Sequence, residues 1–191
     1  ISGFSASGSA SSVKDEAEEI SPTVSYLTLR NLTGNSSADK FFGDERDSLH
    51  SGECKFIHSP SLIPPSFSQN GLVYIPETNI ELISVRPDDD PQFLQTFGQA
   101  ASKGRPLLYL HGYNTSFAKS CEQAALFQAN LNLEGRLILF SWPSDGNLLN
   151  YTRDEADVYW SVAALEATLK KMSAYSGVGG FDVVAHSLGA P

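Results

Sequence analysis

The chain has 191 residues, enough for one domain with a real core, and 41% hydrophobic against 18% charged residues is the balance of a globular domain. Lys and Arg number 13 and Asp and Glu 22, a net charge of −9 without a basic cluster, which disfavours nucleic acid as a partner. No apolar run approaches the ~18 residues of a membrane helix. The two cysteines, Cys54 and Cys121, sit at no metal-ligand spacing and make no disulfide framework.

Residues 1–21 are rich in Ser, Gly, Ala and acid and read as a flexible leader. Such a leader could follow a removed anchor or signal, and both an extracytoplasmic and a cytoplasmic site are open. From Thr23 the character changes. Thr23 to Leu29 alternates and is β-branched, which predicts a strand. Asn31 to Asp39 is a polar loop, and Glu53 to His58 is a second strand. Pro60 to Asn70 is a loop rich in Pro and Ser. Leu72 to Ile75 and Ile80 to Val85 are further short strands, separated by a turn. The first half is expected to be β-rich, with short antiparallel strands.

The second half alternates strand and helix. Asp90-Pro91 is a helix start, with Phe93, Leu94, Phe97, Ala100 and Ala101 at helical spacing and Gly104 as the stop. That structural job weakens Asp88-Asp89-Asp90 as a metal site, and no metal ligands are assigned. Leu107 to Leu110 and Leu137 to Phe140 are continuous apolar runs, as in strands buried on both faces. Thr115 or Ser116 caps the helix between them, and Cys121 on its apolar stripe reads as a small buried hydrophobe. Thr152 with Glu155 forms a capping box. Val158, Val162, Leu165, Leu169 and Met172 then line one side of a long helix. Phe181 to Ala185 is the last strand. The acidic patches, Asp154 to Asp157 among them, read as solvated faces.

Strand, helix, strand, helix, strand implies a parallel sheet, with chemistry at the carboxyl ends of the strands. Three conspicuous segments fall there: His111-Gly112-Tyr113-Asn114, Ser141-Trp142-Pro143-Ser144, and Ala185-His186-Ser187-Leu188-Gly189. The last has the layout of a nucleophile elbow, G-x-S-x-G with Ala185 at the first glycine. Ser187 is the candidate nucleophile. The backbone N–H groups of Leu188 and Tyr113 are the candidate oxyanion donors, with His111, Gly112 and Gly189 as supporting residues. One such donor is worth roughly 3–4 kcal/mol in the transition state. His111 more naturally braces the loop than titrates, and His186 reads as a packing residue, because neighbours on a strand point apart. Trp142 either lines the pocket or fills core. His50 and His58 lie in the β-rich half, away from Ser187. Asp145 follows a strand, but too early in the chain for a triad acid.

These segments, with Phe117, Leu139-Phe140, Tyr151, Asp154 and Ser161, resemble a group of mostly bacterial, largely uncharacterised α/β-hydrolase-like proteins. Phe42 to Arg46 and Gly52-Glu53-Cys54 resemble that group's N-terminal β segment. The resemblance runs from about Thr23 to the end. It implies an α/β-hydrolase fold over residues 22–191 with an antiparallel β-rich beginning. It also implies an esterase or lipase-like acyl hydrolase that acts on a small-molecule or lipid ester and needs no cofactor. In this fold the triad runs Ser, then acid, then His. The acid and base are therefore expected beyond residue 191, the domain is expected to be incomplete, and this chain alone is expected to be inactive. A non-catalytic binding scaffold and an acyltransferase are the alternatives.

Overall fold

The computed structural model describes residues 23–59, 79–88, 90–133, 136–145, 151–175 and 180–189. The predicted leader and the strand expected at residues 72–75 lie outside these. Six strands form one mixed sheet: β1 (Thr23–Leu32), β2 (Phe42–Ser59), β3 (Asn79–Asp88), β4 (Leu107–Leu110), β5 (Leu137–Ser141) and β6 (Asp182–Ala185). Their order across the sheet is β3-β2-β1-β5-β4-β6. β2 runs antiparallel to both β1 and β3, while β1, β5, β4 and β6 are parallel. The molecule is of the α/β class, with the expected antiparallel beginning.

The early strands are longer than expected. β2 is 18 residues long and takes in Phe42 to Gly52, a stretch with too little apolar alternation to be read as a strand. Its ladder with β1 supplies what its side chains do not, with register shifts on either side of Arg30 that let the strands twist past each other. β1 in turn joins the parallel part, where Leu27 pairs with Phe140 and Thr28 with Ser141. These pairs set a common level at the carboxyl end of the sheet.

Helices cover both faces. α1 (Asp90–Ser102) begins at the expected Asp-Pro step and ends before Gly104, whose φ of 143° is open to glycine alone. α2 (Phe117–Asn130) is capped by Ser116, whose Oγ accepts from the Lys119 N–H at 3.3 Å. Of the two cap candidates, Thr115 is instead drawn into the interior. α2 packs over Tyr26, Tyr109, Leu137 and Leu139. α1 and α3 (Tyr151–Tyr175) contribute Phe97, Val158 and Met172 to the opposite core, over Leu27, Leu108, Ile138 and Phe140. Burial on both faces is why β4 and β5 read as unbroken apolar runs. Each fully buried Leu or Ile there contributes about 1.5–3 kcal/mol of transfer free energy.

Three expectations are corrected. Cys54 on β2 and Cys121 on α2, both fully buried, form a disulfide that closes a separation of 67 residues. Nothing in the local sequence of either cysteine signals the other, because the sheet, not the spacing, brings them together. Thr152 lies inside α3 rather than capping it, since the helix already includes Tyr151. The inward stripe of α3 also differs: Val162 is exposed, and beside the expected Val158 the start of the helix buries Asp154, Asp157 and Ser161. Asp154 to Asp157 is thus not simply a solvated face. Asp157 is held by Arg46 of β2 through a contact from Nε to Oδ1.

Candidate active site

The parallel strands end in step. Leu110 pairs with Phe140 on one side and with Ala185 on the other, so His111, Ser141 and His186 emerge at the same level. After β6 the chain turns sharply. The His186 N–H donates to the Leu110 carbonyl at 3.0 Å, and the Gly189 N–H donates back to the His186 carbonyl at 3.0 Å. Between them Ser187 has φ of 53°, in the left-handed region that non-glycine residues rarely adopt. Ser187 therefore sits on a sharp turn directly after β6 with its backbone in a conformation that few side-chain-bearing residues take. Among the described residues the turn continues as one 3₁₀ turn, Ser187–Gly189.

The turn after β6 and the loop after β4 are in contact through their glycines. A Cβ on Gly112 would lie 3.1 Å from the Ser187 Cβ and 2.7 Å from the His186 Nδ1. A Cβ on Gly189 would lie 2.6 Å from the His111 carbonyl oxygen. Only glycine fits at either place, and the result is that His111-Gly112-Tyr113 runs beside Ser187. Ser187 and His186 are both exposed. His186 is therefore not the packing residue expected from its place beside the elbow serine. Tyr113 is partly exposed and meets the Tyr151 ring edge-on at a centroid distance of 5.3 Å.

His111 is fully buried. Its ring stacks on Trp142 with centroids 4.9 Å apart and planes at 12°. Nδ1 lies 2.8 Å from the Gly112 carbonyl oxygen, and Nε2 lies 3.3 Å from Ser141 Oγ and 3.2 Å from the Trp142 carbonyl oxygen. Burial, then the nearby Arg30 cation, push its pKa down to about 3, so the ring is neutral at physiological pH. A neutral ring carries one N–H. Placing it on Nδ1, toward the Gly112 carbonyl, leaves Nε2 to accept from Ser141 Oγ–H. Trp142 is 1% exposed and donates from Nε1 to the His111 carbonyl at 2.9 Å, so it fills core and braces His111 rather than facing solvent.

The fold brings to this level three residues to which the sequence reading gave no role: Arg30, which it did not single out, and Ser144 and Asp154, which it named only as part of a segment, a patch or a resemblance. Arg30 is fully buried at the end of β1, where its guanidinium donates to the carbonyls of Thr115 and Ser144, both at 2.7 Å. It also donates to the Gly43 carbonyl at 3.1 Å and to Ser141 Oγ at 3.0 Å. Burial lowers its pKa to about 10 against the pull of Asp154 and other carboxylates, which leaves it charged at neutral pH. Asp154, in the first turn of α3, accepts from Asn114 N–H at 3.2 Å, from Asp145 N–H at 3.0 Å and from the Ser144 hydroxyl. Ser144 Oγ in turn accepts from the Thr115 N–H at 3.1 Å. An arginine inside an apolar strand and an acid on a helix's inward stripe were the available signals.

No described histidine, His186 included, is hydrogen-bonded to Ser187, and three of the four are engaged or placed elsewhere. His111 has its ring nitrogens engaged. His50 pairs with Asp47 at 3.1 Å on β2, four strands away across the sheet, or about 19 Å at ~4.8 Å per strand. His58 falls beyond the pairing of Thr23 with Lys55, at the opposite end of the sheet. Among the described residues there is no cluster of three or more His, Cys, Asp or Glu able to hold a metal ion, and no helix long and apolar enough to cross a membrane.

A family model described as an alpha/beta hydrolase of unknown function (DUF900) matches residues 89–191, more than half of the chain. No curated protein and no solved structure matches it.

Proposed function

The chain belongs to the DUF900 family of α/β hydrolases, and from that premise we propose that it is a serine hydrolase that cleaves a carboxylic ester through an acyl-enzyme. Ser187 is the nucleophile. The observation that carries this reading is the contact between elbow and loop: a serine at φ 53°, with Gly112 packed against it and Tyr113 following. In this reading Ser187 Oγ attacks the ester carbonyl, and the N–H groups of Leu188 and Tyr113 receive the oxyanion. The peptide joining Gly112 and Tyr113 supports that role. Its carbonyl is turned to His111 Nδ1, so its N–H points the other way, because the peptide is planar and trans.

The general base and its acid come from residues outside those described; in this fold they follow the nucleophile in the order acid, then His. Collapse of the tetrahedral intermediate expels the alcohol, which takes the proton the base removed from Ser187. Water then repeats the cycle and releases the acid. The substrate class is a small-molecule or lipid ester. Acyl transfer shares the first step and differs only in the acceptor.

The test uses the natural protein and p-nitrophenyl esters of graded chain length. The expected result is a burst of p-nitrophenol at one equivalent or less, followed by slower turnover, with Ser187→Ala losing both. Turnover that persists in Ser187→Ala would sink the assignment of the nucleophile. Absence of any turnover with an intact Ser187 would favour a binding scaffold.

A further inference from the structure

The loops after β4 and β5 are held from two sides by a pair of opposite charges. Arg30 takes their carbonyls, at Thr115 and Ser144. Asp154 takes their amides, at Asn114 and Asp145. Ser144 closes the frame, donating its hydroxyl to Asp154 while accepting the Thr115 N–H. Both charged side chains are fully buried, at 1% and 0% exposure. Charges do not stay at such positions without full hydrogen bonding. Neither charge contacts the other directly within ion-pair distance. Each is satisfied through the two loops, so the loops cannot shift without unpairing one of them.

The held segment is next to the chemistry. Asn114, whose N–H goes to Asp154, directly follows Tyr113 and is itself in the left-handed region at φ 55°. His111 fixes the peptide before Tyr113 from its carbonyl side. The Tyr113 N–H is thus held by one bond on the carbonyl of its own peptide and one on the N–H of the next. We propose that Asp154, with Arg30 behind the same loops, is a positioning residue that sets the Tyr113 N–H against Ser187 and so determines the quality of the oxyanion hole. This rests on Ser187 being the nucleophile. Asp154 touches no reacting atom. Its effect passes through the backbone, and donor placement is a steep function of geometry, with about 1 Å of error costing up to ~10²-fold.

The experiment compares wild-type natural protein, Asp154→Asn and Ser144→Ala by two readouts: ester kinetics with phosphonylation of Ser187 by a fluorophosphonate, and amide hydrogen exchange. The amide side chain of Asp154→Asn keeps the shape but has one acceptor oxygen in place of two. Exchange at Asn114 and Asp145 is expected to rise at least tenfold, with Tyr109 and Leu139 in the strands unchanged. The rate of phosphonylation and kcat are expected to fall roughly 10- to 100-fold with KM held. If Asp154→Asn does not fold, Ser144→Ala carries the test, with a smaller fall of about tenfold. A reactive wild type whose folded variants react equally fast overturns the clamp alone. A wild type that never reacts at Ser187 overturns the nucleophile and, with it, the clamp's catalytic role.

Discussion

Two levels of the same sheet differ in what fills them. In the middle, Leu27, Leu108, Ile138 and Phe140 face α1 and α3, while Tyr26, Tyr109, Leu137 and Leu139 face α2. One residue further along the strands the filling turns polar, with Thr28, His111 and Ser141 all fully buried and Arg30, Ser144 and Asp154 just beyond. The apolar level is non-directional, and its stabilisation follows the area removed from water. The polar level obtains little net stability from its hydrogen bonds, yet every bond in it has a direction. The difference is between a layer that holds the chain together and a layer that holds loops in place. Only the second lies against Ser187.

Breaking the polar level at its cation gives the largest expected effect. Arg30→Met leaves the carbonyls of Gly43, Thr115 and Ser144 without their donor, and removing one member of such a buried network costs about 3–5 kcal/mol. Urea unfolding should show the loss. An unchanged midpoint would mean that water replaces the guanidinium at no cost.

The disulfide tests the apolar side. In the chain-entropy account, a link across a separation of 67 residues stabilises by about 4 kcal/mol, and native disulfides more typically measure 2–4. Cys54→Ala with Cys121→Ala should lower the melting temperature while leaving amide exchange in the loops after β4 and β5 unchanged. Loop exchange rising in step with the strands would mean that the two levels are not separable.

His111 gives a pH test with a definite sign. Its folded pKa of about 3 lies below the ordinary value of 6.5. Between these values the unfolded chain binds a proton that the folded chain refuses, so this contribution is present above about pH 6.5 and is lost as pH falls. At pH 5 the loss relative to pH 8 is about 2 kcal/mol. His111→Gln should remove that slope, read as the difference between the two proteins' stability curves. Parallel curves would mean that the ring protonates in place. The smallest effect is on the surface. Glu166→Ala breaks an exposed pair with Lys170 four residues on and should cost about 0.5 kcal/mol or less.

Much of the apolar level was legible in the sequence, because periodicity reports burial directly. Leu107 to Leu110 and Leu137 to Phe140 have one reading only. The close approach of the turn after β6 to the loop after β4 was legible too, since Gly112 and Gly189 mark it. The polar level was not. Arg30 lies one residue past the predicted strand Thr23 to Leu29, and only the register shift beside it and the ends of three other elements turn it into a buried donor. Asp154 looks like surface acid until the helix is placed with that side inward. The reach of β2 and the meeting of Cys54 with Cys121 were hidden for the same reason: each depends on a partner distant in sequence.

The most direct measurement of the central claim is peptide mapping by mass spectrometry after fluorophosphonate treatment of the natural protein. The account predicts a single adduct on the peptide containing Ser187, absent after denaturation and absent in Ser187→Ala. An adduct on another serine, or none on native protein with a demonstrated esterase activity, would contradict it.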